Sequence, residues 1–221
     1  MAFIPKSYLD GLQLIPKDLP VAIVMRHAER FEIKQGEAGF DVPLTEDGKK
    51  SAFKLGKEHF IGKKLTVFSS SVGRCIDTGE NILKGAQIDD KVVESSVLAG
   101  DKIFINDFIK MATFYMTNGM LALLDLVYDG KEVEGVNNVN TAVYQFLDYV
   151  LEKTDKSKDI SLFVTHDMFI SLIVGELFRH KTTSENWPEF MEPIFIWKDG
   201  DNIKIFFRNQ MKDILLFCIV K

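Results

Sequence analysis

The run Val21-Ala22-Ile23-Val24-Met25 constrains this chain more than any other feature. Five consecutive apolar residues, rich in β-branched side chains and with no polar alternation, describe a strand covered on both faces. The run is far short of the roughly 20 residues of a membrane span, and no other uninterrupted apolar run approaches that length. A strand buried twice needs a layer above and a layer below it, which argues for helices on both faces of a sheet.

The surrounding sequence supplies those layers. Thr45 is placed to cap a helix running to about His59, with Ala52, Leu55 and His59 at helical spacing. Leu65-Thr66-Val67-Phe68-Ser69 reads as a second strand, and a helix follows from about Val72 to Leu83 with Ile76, Gly79 and Leu83 on one side. Lys91-Val92-Val93-Glu94 reads as a weaker strand and Ile160-Ser161-Leu162-Phe163-Val164-Thr165 as a strong one. The run from Met168 to Phe178 is apolar nearly all round, the mark of a buried helix. Between these, Phe108, Met111, Ala112 and Tyr115 have helical spacing, Asn118-Gly119 breaks it, and Leu121, Leu124 and Val127 resume it. Two cap helices are expected there, their methionines and aromatics forming cap core. Asn140 is expected to cap the next helix, whose stripe is Val143, Phe146, Leu147 and Val150. Lys198-Asp199-Gly200-Asp201 between two apolar runs is a hairpin signal. Residues 1–19 are expected to be an arm laid on the surface, and residues 31–43 a loop. The alternation predicts an α/β protein: a three-layer α/β/α sandwich with a mainly parallel sheet, one domain over 1–221 with a cap-like helical insertion at about 102–140.

The formal charge of −5 argues against a general nucleic-acid or anionic-membrane binder, while a locally positive pocket for an anionic substrate remains compatible with it. Cys75 and Cys218 share no short metal or redox spacing and make no disulfide framework. The start Met1-Ala2-Phe3-Ile4-Pro5-Lys6 lacks the long apolar core of a signal peptide, so a soluble cytoplasmic protein is expected.

Three polar clusters follow directly on three of the strands: Arg26-His27-Ala28-Glu29-Arg30, Ser69-Ser70-Ser71-Val72-Gly73-Arg74, and His166-Asp167. Open parallel sheets bind ligands beyond the carboxyl ends of their strands. Two histidines, three arginines and an aspartate are thereby delivered to one sheet edge. Arginine forks make paired, charge-assisted bonds to phosphate oxygens and keep their charge. An imidazole with one free nitrogen is a competent nucleophile near neutral pH. A carboxyl group can protonate a leaving alkoxide. Glu29 reads as a solvated or orienting charge, and His59 and His180 as surface residues at helix ends. A cation among so many arginines would be repelled, so no metal and no organic cofactor is expected.

These residues also carry a resemblance. Arg26-His27-Ala28-Glu29-Arg30 resembles the Arg-His-Gly/Ala signature of the histidine phosphatase superfamily, which includes phosphoglycerate mutases and histidine acid phosphatases. Leu44-Thr45-Glu46-Asp47-Gly48 is similar to that family's Leu-Thr-x-x-Gly helix start, Ser69-Ser70-Ser71 through Arg74 and Thr78 to its second motif, and Val164-Thr165-His166-Asp167 to its second-histidine motif. The four motifs stand in the family's order over roughly residues 20–180. The resemblance implies a phosphoglycerate mutase-like fold and a small phosphorylated substrate. It also implies His27 as phosphorylated nucleophile, with Arg26, Arg30, Arg74 and His166 binding the phosphoryl group. For the proton donor it offers two places: Asp167, where the acid phosphatases carry an Asp after the second His, or the stretch 94–101, where mutase-like members carry a Glu. Ala28 and Arg30 depart from the mutase form of the first motif. The expected activity is therefore hydrolysis of a phosphomonoester through phosphohistidine, with phosphomutase and non-catalytic phospho-ligand binding as alternatives. Specificity is assigned to the insertion, the 31–43 loop and the 182–193 segment.

Overall fold

The computed structural model describes residues 2–34, 36–154, 157 and 159–215; Cys218 lies outside the described residues. Its centre is a seven-stranded sheet in the order β3-β2-β4-β1-β5-β6-β7. Strands β1 (Val21–Arg26), β2 (Leu65–Ser69), β3 (Val93–Glu94) and β4 (Ile160–Thr165) run parallel to one another. Strands β1 and β4 are buried at every residue and lie side by side, with Met25 opposite Val164 and Arg26 opposite Thr165. That is the outcome expected of strands without polar alternation. The sheet is mixed: β5 (Pro193–Asp199), β6 (Asn202–Phe207) and β7 (Gln210–Leu215) continue it antiparallel from β1. The hairpin signal gives β5 and β6, turning at Gly200.

Each face of the sheet carries its own core. On one side Val21, Ile23, Met25, Val67 and Leu162 pack against Ala52 and Leu55 of α2 (Glu46–His59) and against Cys75, Ile82 and Leu83 of α3 (Gly73–Ala86). On the other, Ala22, Val24 and Phe163 meet Val143, Phe146 and Leu147 of α6 (Val139–Lys153) and the apolar length of α7 (Asp167–Phe178). Helices α4 (Phe108–Asn118) and α5 (Met120–Tyr128) sit on this second side and meet at Gly119, whose φ of +82° only glycine takes easily. None of the helices among the described residues is long and apolar enough to cross a membrane.

Close packing of α2 on α3 fixes where α3 begins. A β-carbon on Gly56 would collide with the carbonyl oxygen of Ile82, and one on Gly85 with that of Phe53. Two glycines thus let the helix backbones touch. At the other end of α2, Thr45 caps the helix by accepting from the Gly48 N–H (2.9 Å) and donates its own hydroxyl to Glu29 (2.7 Å). Glu29 is therefore an orienting group, and the same turn ties the first motif to α2. A single antiparallel bridge between Arg30 and Leu44 closes the base of the 31–43 loop.

Three expectations need correction. Residues 1–19 are more than a surface arm: α1 (Lys6–Leu12) inserts Tyr8, fully buried, against Phe60 and Phe195. Seven residues are too few to show a helical period. The cap of α6 is Asn138, which accepts from the Thr141 N–H (3.1 Å), while Asn140 donates to Glu176 (2.8 Å). His59 and His180 are half-buried, the first against Tyr8 and the second against Phe207 and Arg208. Strand β7 carries no expected pattern, because five of its six residues are exposed.

Candidate active site

The parallel strands end together, and the residues that follow them converge. His27 continues from β1, its N–H donating to the carbonyl of Thr165 at the end of β4 (2.9 Å). His166 leaves β4 as the residue capping α7. Arg74 stands in the first turn of α3, just beyond β2, and joins the two. Its Nε donates to His27 Nε2 (3.1 Å) and its Nη2 lies 3.1 Å from His166 Nδ1, while Nη1 donates to the carbonyl of Gly39 (2.7 Å). Arg74 is thus a buried bridge between the two histidines.

These contacts fix the tautomers. His27 Nδ1 lies 2.7 Å from the carbonyl oxygen of Ala28, which can only accept, so Nδ1 carries the proton. Nε2 is then the unprotonated nitrogen, which is why it can accept from Arg74. By the same logic His166 Nδ1 faces the Arg74 donor unprotonated, and its Nε2–H donates to Ser70 Oγ (2.9 Å). Electrostatics holds both rings neutral. Burial pushes the His27 pKa well below its ordinary value, and the positive charges of Arg26 and Arg74 push it further. For His166, burial and then Arg74 bring the pKa down to about 3.

Arg26 is the second anchor. It is 5 % exposed, lies with its guanidinium carbon 4.0 Å from the centre of the Phe190 ring, donates from Nη1 to the Pro188 carbonyl (2.6 Å), and pairs through Nη2 with Asp167 Oδ2 (2.7 Å). The remaining Nε of Arg26, and that of Arg30, are buried donors without a hydrogen-bond partner. Orphaned buried donors are costly and rare, and two at one pocket point to an anion that would satisfy them. Asp167 sits at the positive end of α7. Burial alone would raise its pKa, but the Arg26 guanidinium paired with it outweighs that and holds the carboxyl well below the usual carboxylate range. Trp187 Nε1 donates to the same oxygen at 3.3 Å.

The alternative acids are elsewhere. Glu94 and Asp101 are exposed, and Asp101 accepts from Ser96; of the stretch 94–101, Ala99 lines the pocket. Cys75 Sγ lies 3.6 Å from His166 Nε2, but burial pushes its thiol up to about 12, which leaves it inert. No group of three or more His, Cys, Asp or Glu side chains among the described residues is placed to hold a metal ion.

A cavity of about 270 Å³ opens over Arg26, His27, Arg30, Arg74, His166 and Asp167. The structure thus brings together all six residues expected at the sheet edge. The molecule's larger cleft, about 920 Å³, lies between residues 127–140 and the end of α7, and no histidine lines it. The helical stripe Phe108, Met111, Ala112 and Tyr115 also lines the cavity, while Met111 and Tyr115 take part in the core as expected.

Sequence reasoning missed the wall behind Arg26. The segment 186–192 is held by Arg208, which donates from Nη2 to the Asn186 carbonyl (3.0 Å) and forks onto buried Glu192 (2.8 and 2.9 Å). Met191 N–H then meets the His27 carbonyl, and Arg26 N–H the Glu192 carbonyl, each at 3.2 Å. Most of these bonds run through main-chain atoms, which leave no mark on residue identity. Thr78 was legible as part of the second motif; its hydroxyl accepts from the Ala28 N–H (3.0 Å), tying α3 to the loop that carries His27.

Comparison with known proteins accords with this geometry. The family model of the histidine phosphatase superfamily (branch 1) matches residues 22–191. A search of curated proteins returns no match. Among solved structures, the chain is similar to a phosphoserine phosphatase variant from Entamoeba histolytica in complex with phosphoserine, with 14% identity and a TM-score of 0.56, covering 87% of this chain and 96% of that one. It is also similar to a phosphoglycerate mutase from Bacillus anthracis, with 19% identity and a TM-score of 0.51, covering 93% and 98%. A mycobacterial glucosyl-3-phosphoglycerate phosphatase gives 16% identity and a TM-score of 0.51, covering 80% and 90%. At such identities the likenesses establish the fold, a phosphoglycerate mutase-like α/β fold, and no more. With the family model spanning most of the sequence from β1 to just short of β5, the chain belongs to the histidine phosphatase superfamily.

Proposed function

We propose that this protein is a phosphatase that hydrolyses a small phosphomonoester through a phosphohistidine at His27. The observation that carries the reading is the state of that imidazole. It is neutral, with Nδ1–H tied to the Ala28 carbonyl and the free Nε2 facing Arg74. A phosphoryl group seated against His166 would meet the His27 Nε2 lone pair and have Arg74, Arg26 and Arg30 as donors for its equatorial oxygens. In the first step Nε2 bonds to phosphorus and the bond to the ester oxygen breaks. In the second, water attacks phosphorus, the N–P bond breaks and orthophosphate leaves.

Asp167 is the proton donor in this reading. It is ionised while paired to Arg26, so its proton must arrive with the substrate. The monoanion of a phosphomonoester carries such a proton, the second pKa being about 6. As the ester engages Arg26, the carboxylate loses part of its counter-charge and gains a negative neighbour, which favours uptake of that proton and its delivery to the leaving oxygen. Helices α4 and α5, within the 102–140 insertion, act as the cap. No metal or organic cofactor takes part.

Rapid-quench mixing with ³²P-labelled ester tests the mechanism. Acid-labile label should appear on the protein within the first turnover, orthophosphate should be the product, and His27→Ala should abolish both. Full turnover by His27→Ala would overturn the nucleophile, and an isomerised ester without orthophosphate would show a mutase.

A further inference from the structure

The cavity divides into two chemically distinct halves. Among the described residues that line it, the cations are Arg26, Arg30 and Arg74, all placed at the histidines; the one carboxylate, Asp167, is paired with Arg26. No lysine and no further arginine lines the remainder. That remainder includes Ile33 and Phe40 from the 31–43 loop, Phe108, Met111 and Tyr115 from α4, and Trp187. Phe40 and Phe108 meet across the mouth with ring centroids 5.2 Å apart, and both remain about two-fifths exposed. The α4 residues recur at three, four and seven positions, one helical stripe turned toward the cavity.

Phosphorylated small molecules divide by what lies beyond the phosphate. A substrate with a second anion, such as a carboxylate, needs a second cation there, because burying an unpaired charge is far more costly than burying a methylene. The described residues that line this cavity supply no such partner. A substrate whose remaining part is uncharged and apolar gains from the same walls. The volume of about 270 Å³ lies just below the ~300 Å³ lower end of ligand pockets, enough for a phosphate and a compact organic group. Resting on the phosphatase reading above, we infer that the site takes phosphomonoesters of uncharged, apolar alcohols, aryl or alkyl, and discriminates against esters bearing a further carboxylate.

Two measurements on the full chain separate this inference from the reading beneath it. The first is calorimetric binding of a non-hydrolysable series, ethyl-, butyl- and hexylphosphonate, each beside its ω-carboxylated counterpart. The second is orthophosphate release from the matching phosphate esters. Affinity should rise up to about fourfold per methylene, the factor equivalent to ~0.8 kcal/mol for a buried methylene, until the chain reaches the mouth. A terminal carboxylate should lower affinity at least tenfold. Phe108→Ala should flatten the dependence on chain length while leaving the affinity for inorganic phosphate unchanged. Equal or tighter binding of the carboxylated members, or a flat series in the unmodified protein, would overturn the inference. A clear chain-length dependence with no orthophosphate released would uphold the apolar class and overturn the phosphatase reading instead.

Discussion

Arg74→Lys separates charge from geometry at the centre of the site. The positive charge is retained, so a site that needs only a nearby cation should tolerate the change. The structure argues that it will not. Arg74 uses three nitrogens in three directions, toward His27, His166 and the Gly39 carbonyl, at 3.1, 3.1 and 2.7 Å. A lysine ammonium is a single point and reaches at most one of these directions from the same backbone position. At least two donor contacts are then lost. Hydrogen bonds that involve a charged group are worth about 1.5–3 kcal/mol each, so losing two of the three that position His27, His166 and the Gly39 loop comes to about 3 kcal/mol or more. At about 1.4 kcal/mol per decade, kcat/KM should fall at least about 10²-fold. Inhibition by orthophosphate or vanadate should weaken in parallel, since the same fork holds ground and transition states. The assay is orthophosphate release with thermal unfolding alongside, because a buried lysine also carries a stability cost. A folded Arg74→Lys variant within threefold of the parent would refute the argument that the fork, rather than the charge, is what this position supplies.

Further outcomes follow from the same contacts. Asp167→Asn keeps the shape of the side chain but removes the acid, so the phosphorylation step should slow by about 10²-fold or more on alkyl phosphates and much less on nitrophenyl phosphate, as read by burst kinetics; equal loss on both would assign Asp167 a positional role. His27 and His166 are neutral in the folded chain but titrate near ~6.5 once unfolded, so acid favours the unfolded state. Stability should decline as pH falls from about 6.5 toward 3, His166 alone giving a slope of about 1.4 kcal/mol per pH unit and His27 adding to it in the same direction; a urea midpoint that stays constant from pH 7 to pH 5 would contradict that. Gly56→Ala forces a methyl group onto the Ile82 carbonyl where α2 touches α3, and should cost about 1–3 kcal/mol by urea unfolding; an unchanged midpoint would show that the helices part without cost.

What the sequence reveals here depends on where each residue's partner lies. Strands β1 and β4 are legible because burial on both faces leaves them almost wholly apolar and without alternation, and the charged residues at and just after their ends mark the sheet edge. The two strands end in register, so His27 and His166 are brought together by alignment alone. Strand β7 pairs along its whole length with β6, yet of its side chains only Ile214 is buried, so its place in the sheet is written in main-chain bonds. Helix α1 is hidden for a related reason: of its seven residues only Tyr8 and Gly11 are buried.

The cap shows a subtler limit. Periodicity finds the stripe Phe108, Met111, Ala112 and Tyr115 but cannot say whether it faces a core or a cavity, since both are apolar. Nearby Phe104 is fully buried against Phe146 and Phe169, while Phe108 is two-fifths exposed at the mouth; residue type alone does not separate them. The wall at 186–192 is less legible again, because Arg26 and Arg208 recognise it largely through carbonyl oxygens that any residue would provide. The same holds at the reacting atom. The sequence delivers an imidazole between two arginines, but which nitrogen is free is decided by the carbonyl of Ala28, a group every residue possesses and only the fold can aim.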